Sequence, residues 1–213
     1  MVQLAEALTP VSIKAFTALA AKRLRAASSH LDALDATIGD GDHGTSIARL
    51  FAAADSNLPA EGSTSDLLSR FGTALLDAGT GASGVLYATF FITLGKCLAD
   101  EAEVTLTPLA TATTAAVNAL CRRGDANLGD ATMIDAAMPF AETLAKCAAD
   151  GCDLSESLRR ASNAAQAGAT STANLVPRRG RARGFGEAAL GHEDPGAASF
   201  AIVSTCLAEV LAP

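Results

Sequence analysis

"LDALDATIGDGDHGTSIARL", residues 31–50, reads as the end of one amphipathic helix, a glycine-rich acidic turn and the start of a second helix. Asp35, Asp40 and Asp42 crowd around Gly39, Gly41 and His43. Carboxylates this close repel one another, and a cation between them relieves the repulsion. Spacings of five and two, with a sharp turn at two glycines, let a helix end direct all three inward. Hard oxygen donors of this kind suit Mg²⁺ or Ca²⁺ rather than zinc. An EF-hand fails, because with Asp40 at loop position 1 the glutamate required at position 12 is Phe51. A plain Asp-rich turn capping the helix that begins near Thr45 accounts for one aspartate, not three. Mg²⁺ sites keep open positions that phosphates complete, and nearby glycines let backbone N–H groups approach those phosphates.

Outward from this stretch, alanine, leucine and charged residues recur at helical spacing, and alternating strand patterns are hardly visible. Residues 12–34 place Ile13, Phe16, Leu19, Leu24 and Leu31 near one face, with Lys14, Lys22, Arg23 and Arg25 elsewhere. Further helices are predicted over 45–54, 63–79, 83–99, 107–122, 130–149, 154–175 and 197–211. The fold class is therefore all-α, with about eight helices in one domain spanning residues 1–213.

Four connections are glycine-rich and polar: 38–46 (IGDGDHGTS), 79–84 (GTGASG), 124–132 (GDANLGDAT) and 180–196 (GRARGFGEAALGHEDPG). Placed at one end of a bundle, they would form a single anion-binding rim. Ala82, Ser83 and Gly84 would open a helix, where unpaired N–H groups point outward. Asp130 and Thr132 would stand at another helix start, where a cap is the ordinary reading. Arg181 could bring charge to a phosphate, and His43 and His192 each adjoin glycine and acid. No Walker A motif exists, since Gly95-Lys96 is followed by Cys97 and lacks the upstream glycine.

Composition narrows the function classes. A net charge of −7 with four lysines argues against nucleic acid, which needs clustered cations. The apolar runs, such as Val85 to Leu94, are too short to span a bilayer, and residues 1–16 lack a signal-peptide pattern. A cytoplasmic protein with no membrane partner is expected. Five cysteines without CxxC spacing read as reduced core thiols.

"DATIGDGDHG", "GASGVLYATFF", "GDATMIDAAMPF" and "GHEDPGA", in that order, span most of the chain. Together they resemble the nucleotide-binding L subunit (DhaL, or Dak2-type domain) of dihydroxyacetone kinases. The resemblance implies a barrel of eight antiparallel amphipathic helices with ADP or ATP held by loops at one end. It implies that Asp35, Asp40 and Asp42 coordinate two Mg²⁺ ions. It also puts His43, Gly44, Ser46, Ala82, Ser83, Gly124, Thr132, Met133, Arg181, Asp194 and Gly196 at nucleotide-binding positions.

The family transfers a phosphoryl group to a short-chain ketose held covalently by a histidine on a separate K subunit (DhaK-type). By that resemblance this chain is the nucleotide half, inactive alone, with no catalytic acceptor-activating residue of its own. Ser46 stands where the family commonly has asparagine, Thr80 and Ala88 where glycine is usual, and Ala131 where lysine often follows GD. Two donor systems stay open: exchangeable ATP, or bound ADP rephosphorylated by a phosphotransferase-system protein fed by phosphoenolpyruvate. Self-association is open too. The rival reading is a regulatory module whose ADP/ATP state a partner protein reads.

Overall fold

The computed structural model describes residues 6–79 and 81–211. Eight α-helices occur among them: α1 Pro10–Ile38, α2 His43–Ser56, α3 Thr64–Ala78, α4 Ala82–Cys97, α5 Leu106–Gly124, α6 Ile134–Ala149, α7 Leu154–Ser171 and α8 Pro195–Leu211. Two 3-10 segments, Thr172–Asn174 and Arg181–Ala189, lie between α7 and α8. No strand forms among the described residues; one antiparallel bridge, Leu8 to Val104, ties the start of the described chain to the α4–α5 connection. No helix among them is long and apolar enough to cross a membrane.

Local sequence sets the helix starts. Pro10 opens α1, where its missing N–H costs nothing. The Thr9 hydroxyl accepts from the Ser12 amide (3.1 Å), and the Ser12 hydroxyl accepts from the Thr9 amide (2.8 Å). Ser63 and Asp153 cap α3 and α7 without the reciprocal bond, accepting from the Asp66 and Glu156 amides.

Each helix packs on its sequence neighbours, and α8 packs back on α1, closing a ring. Short connections between packed neighbours make α1 to α7 antiparallel in turn, and Gly196 of α8 beside Met133 at the start of α6 puts α8 in the same alternation, which gives the all-helical barrel. An even, closed, up-and-down ring puts every second connection at the same end. The α1–α2, α3–α4, α5–α6 and α7–α8 connections therefore share one end, and these are the four glycine-rich ones.

Aromatic side chains from six helices fill the barrel. Phe51 meets Phe71 (5.4 Å between centroids) and Tyr87 (5.0 Å) edge to face, as Phe71 meets Phe91 (5.0 Å). Phe90 and Phe140 approach Phe200 at 5.6 and 5.9 Å. Such pairs add about 0.5–1.5 kcal/mol each beyond the area they bury. A void of about 30 Å³ remains between Phe16, Tyr87, Phe91 and Phe200, room for about one water, so the barrel is a packed core.

Several boundaries differ from the sequence reading. α1 runs to Ile38 and α2 starts at His43, because Asp35 and Ile38 still face the interior. α6 starts at Ile134 rather than near 130, because Ala131 adopts a left-handed φ of 55° that interrupts a helix. α7 ends at Ser171 and tightens into a 3-10 turn. The cysteines are all free, but only Cys147 and Cys206 are buried and Cys97 is exposed, so the uniform core-thiol reading is corrected. Cys97 lies on the outward face of α4 beside Lys96, while Leu98 next to it is buried.

Pro139 lies inside α6 and has no N–H to give the Asp135 carbonyl one turn earlier. At the same carbonyl α7 presents Gly168, where a Cβ would come 2.0 Å from the Asp135 oxygen. The obstacle is backbone and cannot swing aside. Gly168→Ala is therefore expected to force α6 and α7 apart and destabilise the fold by about 1–3 kcal/mol, despite alanine's better helix propensity. A lowered urea midpoint with unchanged m-value checks it; an unchanged midpoint contradicts it.

Candidate functional site

Asp35 sits one turn before the end of α1, buried. Its carboxylate accepts the amides of Asp42 (3.0 Å) and His43 (3.2 Å), folding the 39–42 turn back onto α1. Gly39 permits this: a Cβ there would lie 2.1 Å from the Asp35 carboxylate oxygen. Gly41 supplies the left-handed turn, at φ 79°. One carboxylate oxygen from each of Asp35, Asp40 and Asp42 then lies within 4.8 Å of the others.

The capping expectation is answered unexpectedly. Asp42 precedes α2 without capping it through its side chain. Asp32 caps instead, accepting from the Thr45 amide (2.9 Å) and hydroxyl (2.6 Å). The sequence reading missed Asp32; its place one turn before Asp35 on the same helix face was the available signal.

A cleft of about 550 Å³ opens beside the three aspartates. Asp35, Asp42, His43, Ser46, Ala82, Ser83, Gly124, Thr132, Met133, Arg181, Asp194 and Gly196 all line it. Asp40 stands at the rim outside this wall. Gly44 instead faces α1, where a Cβ would come 2.0 Å from the Ser28 carbonyl oxygen, so close helix contact is reason enough for glycine there. His192 is exposed and away from the wall.

The other loops converge by distinct means. No described side chain caps α4, so the first amides after Gly81 are open toward the cleft. In the 125–133 connection Asp135 accepts the amides of Gly129 (2.6 Å) and Thr132 (2.8 Å), and the Thr132 hydroxyl accepts from Ile134 (3.2 Å). Asp130 ties its own turn by accepting from Asn127 (2.9 Å) rather than opening the helix. Asp194 caps α8 through the Ala197 amide (2.7 Å). Of the residues that differ from the family pattern, Ser46 touches Asp42 (3.4 Å) and Ala88 is buried in the core. Ala131 is buried at its left-handed turn, and Thr80 lies outside the described residues.

Sequence reasoning also missed the apolar wall formed by Ile38, Ile47, Leu50 and Leu86, and two cations, Arg123 and Arg179. The apolar residues recur at ordinary core spacing and carry no separate signal. Arg123, Arg179 and Arg181 set three cations against Asp35, Asp42 and Asp194 in the cleft wall of a chain of net charge −7. Arg181 pairs with Asp40 and lies 3.6 Å from Asp42, so a guanidinium offsets part of the crowded negative charge.

Burial pushes the His43 imidazole below its ordinary value, outweighing the pull of Asp35, Asp32 and Asp42. Desolvation pushes the Asp194 carboxyl up to about 7 against the amides that favour its charge; Asp135 and Asp35 push the same way.

A family model described as the DAK2 domain matches residues 37–209. The chain belongs to the DAK2 domain family. It is 35% identical over 183 residues to the ADP-binding subunit DhaL of the PEP-dependent dihydroxyacetone kinase of Escherichia coli, covering 85% of this chain and 87% of that one. It is 37% identical over 174 residues to an ADP-binding subunit DhaL of Listeria innocua, covering 80% of each. The crystal structure of the C. freundii dihydroxyacetone kinase with AMP-PNP and Mg²⁺ superposes with a TM-score of 0.70 at 30% identity. That match takes in 98% of this chain but 36% of the kinase, so this DAK2 domain spans about a third of that enzyme.

The donor set of this DAK2 domain fits a hard dication, with three convergent carboxylates and no nitrogen or sulfur ligand among them. The cleft volume falls within the range of small-molecule sites, and its mixture of open amides, arginines and apolar wall suits a nucleotide.

Asp194 makes fold stability pH-dependent with a defined sign. Its folded value lies above the ordinary 3.8, so its contribution is full below pH 3.8 and is lost as pH rises through about 7. Asp194→Asn is expected to flatten this part of the profile, measured as urea midpoints across that window. Parallel profiles for the two proteins would contradict the raised value.

Proposed function

We infer that this chain is the nucleotide-binding subunit of a dihydroxyacetone-type kinase. The carrying observation is the convergence of Asp35, Asp40 and Asp42 at the mouth of a cleft built from all four loops at one barrel end. The likeness to DhaL subunits and to a kinase structure with AMP-PNP and Mg²⁺ supports it.

In this reading Asp35, Asp40 and Asp42 hold two Mg²⁺ ions, which when bound neutralise charge on the phosphates and on the transferred group. His43, Ser46, Ala82, Ser83, Gly124, Thr132, Met133, Arg181, Asp194 and Gly196 form the bed for ADP or ATP, with Gly44 packed on α1 behind it. The amides that begin α4 and the hydroxyls of Ser83 and Thr132 orient phosphate oxygens. Ile38, Ile47, Leu50 and Leu86 offer an apolar surface for a base and exclude water there. Arg181, held by Asp40 and Asp42, is placed to release them for metal and turn its fork toward phosphate. Nothing in this reading assigns the chain a group that activates the acceptor hydroxyl.

The acceptor, a short-chain ketose, is then presented by a separate DhaK-type subunit, and the place of action is the cytoplasm. A phosphoenolpyruvate-fed donor protein fits the name of the E. coli relative, whereas exchangeable ATP fits the AMP-PNP complex.

Calorimetry tests the reading directly. ADP is expected to bind with Mg²⁺ and far more weakly in EDTA. Asp40→Asn should weaken Mg²⁺-dependent ADP binding by more than about tenfold. With a DhaK-type subunit and a phosphoryl donor, the parent chain should phosphorylate dihydroxyacetone, whereas either subunit alone should not. Binding without turnover would favour the regulatory alternative; binding unaffected by Mg²⁺ would remove the metal role.

A further inference from the structure

Behind Ser83, a line of polar side chains runs from the cleft into the aromatic core. The Ser83 hydroxyl lies 3.2 Å from His43 Nδ1, and His43 Nε2 lies 3.0 Å from the Ser199 hydroxyl. The Ser199 hydroxyl is in turn 3.0 Å from the Tyr87 phenol oxygen. Tyr87 and Ser199 are fully buried, and His43 nearly so. Ser83 and Tyr87 are one turn apart on α4, while His43 belongs to α2 and Ser199 to α8, so the line joins three helices that are not sequence neighbours.

Counting protons restricts how this line can be wired. The Tyr87 phenol has Ser199 as its hydrogen-bond partner and is wholly buried, so it donates to Ser199 rather than leave its proton unpaired. Ser199 has one proton and two acceptors, His43 Nε2 and the Gly196 carbonyl (3.0 Å). The Gly196 carbonyl already takes the amide four residues on in α8, so it does not depend on Ser199. With a single ring proton, His43 can hold it on either nitrogen. With that proton on Nε2, Ser83 must donate inward to Nδ1 and shows the cleft lone pairs alone. With it on Nδ1, His43 donates to Ser83, whose proton is then free for the cleft.

A phosphate oxygen accepts hydrogen bonds and does not donate them. We propose that Tyr87, Ser199, His43 and Ser83 form a relay that runs in one direction, from core to cleft, when phosphate is bound, and makes the Ser83 hydroxyl a committed phosphate donor. Ser199 and Tyr87 are then positioning residues for ligand binding that never touch the ligand. The proposal rests on the nucleotide reading above and adds the buried residues that set the polarity of its contact.

The test is a double-mutant cycle on Mg²⁺-dependent ADP affinity, together with ¹⁵N NMR of the His43 ring in the full chain. Ser199→Ala should weaken Mg·ADP about tenfold and Tyr87→Phe, an isosteric change, about threefold, a single net hydrogen bond in each case. In a Ser83→Ala background both effects should nearly vanish, because the relay then has no donor to orient. In the parent complex His43 should carry its proton on Nδ1. Additive losses in the two backgrounds, or a proton on Nε2 with Mg·ADP bound, overturn the relay alone. Failure of the parent to bind Mg·ADP overturns the nucleotide reading and the relay with it.

Discussion

Closure of α8 onto α1 is the constraint from which the rest follows. Once eight helices pack in sequence order and the ring closes, the up-and-down path leaves no choice about which connections meet. The odd-numbered connections share an end, and their residues become neighbours although they are far apart in sequence. Asp42 and Arg181 meet in this way, as do Gly196 and Met133, where a Cβ on the glycine would touch the Met133 side chain at 3.6 Å. The aromatic packing of Phe51, Phe71, Tyr87, Phe91 and Phe200 holds the ring in register, so a rigid core positions loops that have little packing of their own.

Within that rim, carboxylates do two kinds of work. Asp32, Asp135 and Asp194 satisfy backbone amides and shape the loops; Asp35 does so while also facing the cleft. Among the described residues Asp40 and Asp42 have no such amide to hold and meet Arg181 instead. The division explains how an acidic chain keeps a cluster of negative charge at the mouth of a cleft that also holds Arg123, Arg179 and Arg181. The structural carboxylates are spent on N–H groups, and the remaining charge is available for cations.

Much of this was legible in the residues. Helix count and type followed from strong 3.6-residue periodicity, and the glycine-rich loops stood out because their composition departs from helix so sharply. The three convergent aspartates were readable from Gly39 and Gly41, which have a mechanical purpose there. What was not legible depended on tertiary context. Ala131 gave no sign of a left-handed backbone, so the start of α6 was placed too early. Gly44 lies in a ligand-like motif, yet the structure gives it a packing contact with α1. Ile38, Leu50 and Leu86 look like core residues in a linear reading, and Ser199 and Tyr87 like ordinary helix residues, because only the closed ring brings them to the cleft or to His43.

The same parity that gathers the rim also sends the start of α1 and the finish of α8 to the opposite end of the barrel. Both outermost helices thus point their free ends away from the cleft. A further polypeptide could be joined there, before α1 or after α8, without its junction crossing the mouth of the cleft. One module can therefore serve both as about a third of a long kinase chain, as in C. freundii, and as a subunit of nearly its own length, as in E. coli.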